Sequence, residues 1–167
     1  MENEHKCRVV AWWNAGKTGL AKSDSAPHAI HFAAPPRFGG LEGRWSPEDL
    51  LLCAVAGCFT TTFRALADYS KFEYTDLEVE VEGTACKAES GYEFAGIVIR
   101  PTLTISNMDE RPRAERLLDK AKRLCLVSRA LVTPQTFEPR VQLPAKVERN
   151  EEARMIRLDK RPSETSV

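Results

Sequence analysis

The sequence of 167 residues has no excess of charge of either sign. Lys and Arg together number 24, and so do Asp and Glu, so the formal net charge is zero. A nucleic-acid-binding protein depends on a cationic surface that faces phosphates, and a polybasic membrane anchor depends on clustered Lys and Arg. The balanced composition therefore argues against a nucleic-acid partner and against a membrane partner.

Long apolar runs and a secretion signal are also lacking. No uninterrupted apolar run approaches the roughly 20 residues that span a bilayer. The first six residues, Met-Glu-Asn-Glu-His-Lys, do not contain the apolar segment of a signal peptide. From these two features we expect a cytoplasmic protein.

A disulfide framework is not indicated either. The cysteines are odd in number and irregular in spacing, and no C-x-x-C pair occurs; they are Cys7, Cys53, Cys58, Cys86 and Cys125. Such a set fits poorly with a secreted, disulfide-bonded domain. In a reducing compartment most cysteines are buried and inert, and we expect this of Cys7, Cys53 and Cys86.

What the sequence does contain is a regular alternation of strand and helix patterns. It predicts strands at 7–13 and 29–34 with a polar loop between them, a helix from 47 to about 70, an alternating strand at 77–82, one or two strands within 92–106, a helix at 114–125 and a strand at 137–143. Pro101 indicates an edge strand or a bulge. The order β-β-α-β-β-α-β, with mostly antiparallel signals, predicts an α+β domain.

The first predicted helix has the strongest signal. Ser46 is a good N-cap, Pro47 fits the first helical position, and Glu48 with Asp49 complements the positive end of the helix dipole. The residues that follow are apolar on most sides of the helix. Such a helix belongs in the centre of a domain or at a subunit interface.

Two residues in this helix stand out. Cys53 and Cys58 lie five residues, or about 140°, apart around the axis, so they cannot face the same pocket. Gly57 precedes Cys58, and a glycine inside a helix costs about 1 kcal/mol relative to alanine. We therefore expect a close approach at Gly57 that offsets this cost. Cys125, at the end of the second predicted helix, is unremarkable when taken alone.

Together these features resemble the OsmC/Ohr family, the osmotically inducible protein C-like and organic hydroperoxide resistance thiol peroxidases. The resemblance covers roughly residues 7–143. The segments that carry it are Arg-Phe-Gly-Gly at 37–40, Ser-Pro-Glu-Asp-Leu-Leu at 46–51, Ala-Gly-Cys-Phe-Thr at 56–60, Leu-Glu-Val-Glu-Val-Glu-Gly at 77–83 and Cys-Leu-Val-Ser-Arg-Ala-Leu at 125–131. No single segment is highly specific, but the ordered set is.

The resemblance implies an activity and its residues. Cys58 corresponds to the peroxidatic cysteine, Cys125 to the resolving cysteine, and Arg37 with Glu48 to the polar pair that assists them. The implied fold has antiparallel sheets packed around a long central helix, in an intertwined homodimer with its sites at the subunit interface. The implied substrates are organic hydroperoxides and in some members hydrogen peroxide. The implied reductants are dithiols of the lipoyl type. The sequence offers no sign that the protein needs a cofactor or a metal.

Helix geometry agrees with the implied homodimer. Glu48 and Cys58 are ten residues apart on one helix, which places them about 15 Å apart along the axis. They cannot touch within that helix. If both residues serve one site, Glu48 most simply comes from the other chain.

The sequence departs from the family pattern at Leu126, its loop at Arg37 is OsmC-like rather than Ohr-like, and it leaves alternatives open. Leu126 stands where family members often carry proline after the second cysteine. We expect an OsmC-like domain at 1–144 and a charged C-terminal tail at 145–167. The alternatives to a peroxidase are a non-catalytic small-molecule-binding relative and a redox-sensing protein whose disulfide alters partner binding.

Overall fold

The computed structural model describes residues 4–14, 16–89 and 91–145. Its strands and helices, in chain order, are β1 (Val9–Trp13), β2 (Thr18–Ser23), β3 (Ile30–Ala33), α1 (Pro47–Ser70), β4 (Asp76–Ala88), β5 (Gly91–Thr104), α2 (Arg111–Leu124), α3 (Leu126–Ala130), β6 (Gln135–Phe137) and β7 (Arg140–Gln142). Short 3-10 helices precede α1 and α2, at Pro36–Phe38 and Met108–Glu110.

The strands form two sheets. β1, β2 and β3 make an antiparallel sheet of three strands, while β4 and β5 form a long antiparallel hairpin. β6 and β7 extend the second sheet on the free side of β5, and both run parallel to it. α1 packs against β4, and α2 and α3 pack against α1. The predicted α+β class is confirmed.

The core lies between the second sheet and the helices. α1 contributes a buried stripe at every fourth residue, which is the spacing of one helix face: Val55, Phe59, Phe63 and Ala67. α2 contributes its own apolar stripe, Ala114, Leu117, Leu118 and Ala121. Ile97, Ile99 and Leu103 complete the core from β5 and are at most 1% exposed.

The sequence predicts both ends of α1 correctly. Ser46 Oγ accepts a hydrogen bond from the backbone N–H of Asp49, and Asp49 Oδ2 accepts one from the backbone N–H of Ser46. This reciprocal capping box holds the first turn. At the other end Lys71 has a left-handed backbone (φ 51°), and its N–H bonds the carbonyl of Ala67, so the helix stops there.

α1 is only partly covered within the chain. Its 18 most apolar consecutive residues have a mean hydropathy of 1.7, and 22% of that window is buried. By length and mean hydropathy alone α1 could therefore cross a membrane, although it contains no uninterrupted apolar run of that length. The central helix of a globular fold can be equally long and apolar. Length and mean hydropathy alone therefore do not distinguish such a core helix from a membrane span.

Three strand predictions are wrong in instructive ways. The polar stretch predicted as a loop contains β2, whose central position between β1 and β3 overrides its weak strand propensity. The predicted last strand at 137–143 is two short strands, β6 and β7, in parallel pairing that short-range patterns do not reveal. Pro101 lies in the interior strand β5, not at an edge. Proline has no backbone N–H to donate. Pro101 falls between the segment of β5 that pairs with β6 and the segment that pairs with β7, so neither of these strands requires a donor at this position.

The predicted charged tail at 145–167 lies outside the described residues, except for Ala145. The boundary predicted at residue 144 follows β7 by two residues.

Candidate functional site

Cys58 and Cys125 come together where α1 meets the junction of α2 and α3. Cys58 lies on α1 and is half-buried, whereas Cys125 is the residue between α2 and α3 and is fully buried, at 0% exposure. Cys58 packs against the core cluster that contains Cys125, and each of the two thiols shifts the pKa of the other. The backbone N–H of Val127 points at Cys58 Sγ with an N–S distance of 3.5 Å. The two cysteines that the resemblance pairs, 67 positions apart by numbering, are therefore neighbours in space.

The surroundings of Cys58 favour its thiolate. Burial raises the pKa of the Cys58 thiol, but hydrogen bonds outweigh burial, so the pKa lies below its ordinary value of 9.0. The largest lowering contribution comes from the Val127 N–H, 3.5 Å from Cys58 Sγ, and smaller ones come from Cys125, Thr62 and the Leu126 backbone. Because the thiolate is the nucleophilic form of cysteine, Cys58 is the more reactive member of the pair.

The surroundings of Cys125 act in the opposite direction. Burial raises the pKa of the Cys125 thiol, and the adjoining Cys58 raises it further. The backbone N–H of Ser128 and the charge of Lys122 oppose this shift without overcoming it. A half-buried thiol with a lowered pKa thus lies next to a buried thiol with a raised pKa, which is an arrangement suited to one attacking and one resolving cysteine.

A polar cluster lies behind Cys125. Lys122 Nζ donates a hydrogen bond of 2.6 Å to Ser128 Oγ and a second to Gln135 Oε1. Ser128 Oγ also donates to Gln135 Oε1, and Gln135 Nε2 donates to the Ser128 carbonyl at 2.8 Å. Ser128 is 2% exposed, and Lys122 and Gln135 are half-buried, so the cluster lies at the edge of the core.

Arg37 is not at Cys58 within the chain. It lies in the 3-10 helix before α1, is exposed, and stacks over two aromatic rings, 4.6 Å from the Phe38 centroid and 5.6 Å from that of Tyr92. Phe38 and Tyr92 meet edge to face at 4.8 Å, which forms a platform for the guanidinium. Among the described residues, Arg37 makes no hydrogen bond to Cys58.

Glu48 shares a cavity with Arg37. The cavity has a volume of about 390 Å³, and its lining also includes Arg44 and Asp49. Glu48 Oε2 is buried and accepts no hydrogen bond from any residue that the structure describes. A buried carboxylate oxygen without a donor is unfavourable, so this atom requires a cation or a donor from elsewhere.

The other cysteines are not the core residues that we predicted. Cys7, Cys53 and Cys86 are all exposed, and Cys53 faces a cavity beside Arg44 and Trp45. This exposure could not be predicted from sequence, because Cys53 belongs to an apolar run whose outer side the described chain leaves uncovered.

The close approach predicted at Gly57 is absent within the chain. A Cβ atom added at Gly57 would meet nothing within 4 Å among the described residues. Gly57 instead lies on the uncovered side of α1, with exposed Cys53, Ala54 and Thr61.

Sequence reasoning missed Thr62, Lys122, Ser128 and Gln135. One of them carries a signal. Positions 118, 121 and 125 form the apolar face of the second helix, and Lys122, four residues after Leu118, lies on that same face. A lysine on a buried helix face indicates a specific polar partner. Thr62, Ser128 and Gln135 have no comparable sequence pattern.

Comparisons with known proteins identify the family to which the fold belongs. Residues 40–140 match the family model described as OsmC-like protein. The uncharacterized protein YmaD of Bacillus subtilis is 25% identical over 131 residues, which cover 77% of this chain and 87% of YmaD. The family-model match contains α1, β4, β5, β6 and both Cys58 and Cys125.

Solved structures share the fold at low identity. An OsmC-like protein of unknown function from Vibrio cholerae superposes with a TM-score of 0.72 at 16% identity, covering 81% of this chain and 99% of that one. An organic hydroperoxide resistance protein, OsmC, from Legionella pneumophila gives 0.65 at 23%, covering 86% and 100%. Since the family model matches more than half of the sequence, the chain belongs to the OsmC-like protein family.

Proposed function

We propose that this protein is a thiol peroxidase that reduces organic hydroperoxides, with Cys58 as the peroxidatic and Cys125 as the resolving cysteine. The observation that carries the proposal is the contact between these two thiols and the opposite directions of their pKa values. Groups whose surroundings drive their pKa values apart are typical of sites that divide a reaction between two roles.

In the first step the Cys58 thiolate attacks the terminal oxygen of the hydroperoxide. A sulfur–oxygen bond forms, the O–O bond breaks, and the alkoxide leaves and takes a proton from water to give the alcohol. Cys58 is thereby oxidised to a sulfenic acid while the peroxide is reduced. The Val127 N–H contact at 3.5 Å supports this step because it favours the thiolate before attack.

In the second step Cys125 attacks the sulfenic sulfur. The Cys58–Cys125 disulfide forms, the S–O bond breaks, and hydroxide leaves with the Cys125 proton as water. Two neighbouring side chains can close such a bond with little backbone movement. A dithiol of the lipoyl type then reduces the disulfide by exchange, and is itself oxidised to a disulfide.

Arg37 and Glu48 enter the proposal through a second copy of the chain. In a homodimer, the Arg37 and Glu48 of one subunit would face the Cys58 of the other, with Glu48 holding the guanidinium by a bidentate pair. The unpartnered Glu48 Oε2 and the open side of α1 at Gly57 support this arrangement. So do the exposed Trp12 and Trp13 on β1, which are 44% and 61% accessible.

The first test is disulfide mapping. Reduced protein is treated with one equivalent of cumene hydroperoxide and analysed by non-reducing peptide mass spectrometry. We expect a Cys58–Cys125 link that dihydrolipoamide reverses. We expect no link in Cys58→Ser, and a sulfenic acid trapped by dimedone at Cys58 in Cys125→Ser. Cys86→Ser, which alters an exposed cysteine on β4, is the matched control and should behave as the wild type.

The mapping also decides against the proposal if it fails. Thiols of Cys58 and Cys125 that both stay free after excess peroxide would exclude a peroxidase and favour the small-molecule-binding alternative. A single oxidation that dihydrolipoamide does not reverse would favour the redox-sensing alternative.

A mixing experiment tests the shared site. Cys58→Ser and Arg37→Ala are each expected to be inactive alone. If each site takes Cys58 from one subunit and Arg37 from the other, then mixed dimers contain one complete site, and unfolding and refolding the two variants together partly restores activity. No restoration, despite formation of mixed dimers, would place both residues in one chain.

A further inference from the structure

The cluster behind Cys125 has no part in the reaction as described so far. Lys122 is half-buried, and no carboxylate lies within 4.0 Å of its ammonium group in the part of the chain that the structure describes. A buried lysine without a carboxylate is unfavourable, because desolvation penalises its charge. Its ammonium group donates two hydrogen bonds, to Ser128 Oγ and Gln135 Oε1, which are both neutral acceptors.

The cluster fixes the position of the Lys122 charge relative to the sulfur of Cys125. Lys122 is three residues before Cys125, so both side chains lie on the same side of the α2 terminus. Ser128 belongs to α3, immediately after Cys125, and Gln135 belongs to β6. Because Gln135 also bonds the Ser128 carbonyl, three elements hold the lysine in place.

We propose that Lys122, held by Ser128 and Gln135, is a positioning residue of the resolving step, where its positive charge stabilises the thiolate that Cys125 must form. The proposal rests on the function proposed above. In that step the Cys125 S–H bond is broken, the S–S bond forms, and hydroxide leaves the Cys58 sulfenic acid as water. An ammonium ion beside a buried sulfur favours the ionised thiol at the moment of attack.

The pKa directions are consistent with this role. Burial lowers the pKa of Lys122, and the adjacent Cys125 acts against that shift. Burial raises the pKa of Cys125, and Lys122 opposes it. Among the described residues, the titratable groups that face Cys125 are Cys58 from α1 and Lys122 from α2. Ser128 and Gln135 do not titrate in the relevant range.

The test separates the two chemical steps. Lys122→Met removes the charge and keeps the length of the side chain, Lys122→Gln removes the charge and keeps a polar contact, and Lys122→Arg keeps the charge. Each reduced variant is mixed with one equivalent of cumene hydroperoxide. Rapid quenching with dimedone measures sulfenic acid at Cys58, and non-reducing mass spectrometry measures the disulfide.

We expect the charge to affect only the second step. In Lys122→Met and Lys122→Gln, formation of sulfenic acid stays within about twofold of the wild type, whereas disulfide formation at neutral pH slows at least about threefold. This factor corresponds to a roughly tenfold lower fraction of Cys125 thiolate, partly offset because a more basic thiolate is a stronger nucleophile. The deficit narrows as the pH rises, and Lys122→Arg keeps most of the wild-type rate.

Two outcomes would overturn the proposal. One is disulfide formation in both neutral variants at the wild-type rate and with the wild-type pH profile. The other is an equal loss at every pH that Lys122→Arg does not rescue, because that pattern indicates a structural role only. Circular dichroism of each variant identifies any that fail to fold, and the second neutral substitution replaces one that does.

A titration keeps this inference distinguishable from the peroxidase proposal. In a Cys58→Ser background the ultraviolet absorbance of the Cys125 thiolate is followed against pH, with Cys58→Ser/Cys125→Ser as the blank. Adding Lys122→Met is expected to raise the midpoint. If the wild type forms no sulfenic acid, the peroxidase proposal fails. If Lys122→Met leaves the midpoint of the Cys125 titration unchanged, the proposed action of Lys122 on Cys125 fails.

Discussion

Replacing Leu126 with proline is expected to slow the reaction of Cys58 without weakening the fold. Leu126 is the first residue of α3, a position that proline favours because its fixed φ suits the helix and no intrahelical bond needs its N–H. Cys125, the preceding residue, has φ −60° and ψ 109°, an extended conformation close to the one that a following proline requires. The Leu126 side chain is 72% exposed, so little packing is lost.

The substitution removes one N–H group that acts on Cys58. Of the contributions that lower the pKa of the Cys58 thiol, the one from the Leu126 N–H is the smallest. A hydrogen bond contributes about 0.5–1.5 kcal/mol net, and the lower end of this range corresponds to about a two- to threefold smaller thiolate population. Proline at a compatible site also raises the free energy of unfolding by about 0.4–1 kcal/mol.

The assay follows alkylation of Cys58 by iodoacetamide against pH, quantified on its peptide by mass spectrometry. We expect Leu126→Pro to react about two- to threefold more slowly than the wild type at neutral pH, and equally fast at alkaline pH, where Cys58 is ionised in both. Leu126→Ala keeps the N–H and is the matched control. Equal rates for proline and alanine at every pH would refute the contribution of this N–H.

Three further predictions concern stability and assembly. Phe63→Ala, at a side chain with 0% exposure, is expected to lower the free energy of unfolding by about 3–5 kcal/mol in urea denaturation, and a loss below 1 kcal/mol would contradict its place in the core. Ser46→Ala removes the cap of α1 and is expected to lower the free energy of unfolding by about 1 kcal/mol. An unchanged midpoint of urea denaturation would argue against the capping box. Gly57→Leu fits the single chain, since nothing lies within 4 Å of its Cβ position, so we expect a folded monomer by analytical ultracentrifugation; a stable dimer would place the subunit interface elsewhere.

Local patterns were sufficient where the determining interactions are short-range. The bounds of α1 follow from Ser46, Asp49 and Pro47, which act within one turn of the helix start. The alternation of β4 follows from its one solvent face, on which Glu78, Glu80 and Glu82 are exposed. Neither feature depends on any distant residue, so both could be predicted from sequence.

Long-range pairing was not predictable in this way. β6 and β7 are three residues each, and only their parallel contact with β5 makes them strands. β2 owes its conformation to two neighbours in the same manner. The exposure of Cys53 could not be predicted from sequence either. It depends on what packs against the outer side of α1, and the sequence of that helix is apolar on nearly every side.

By itself, the sequence determined the family resemblance, the α+β class, the central helix and the choice of Cys58 and Cys125 as a pair. Only the tertiary structure decided how those cysteines differ. The helix junction at Cys125 places backbone N–H groups at Cys58, and burial keeps Cys125 protonated. The structure likewise brought Lys122, Ser128 and Gln135 together from three elements. Such differences arise from hydrogen bonds and desolvation between residues that are far apart in sequence, which local patterns do not encode.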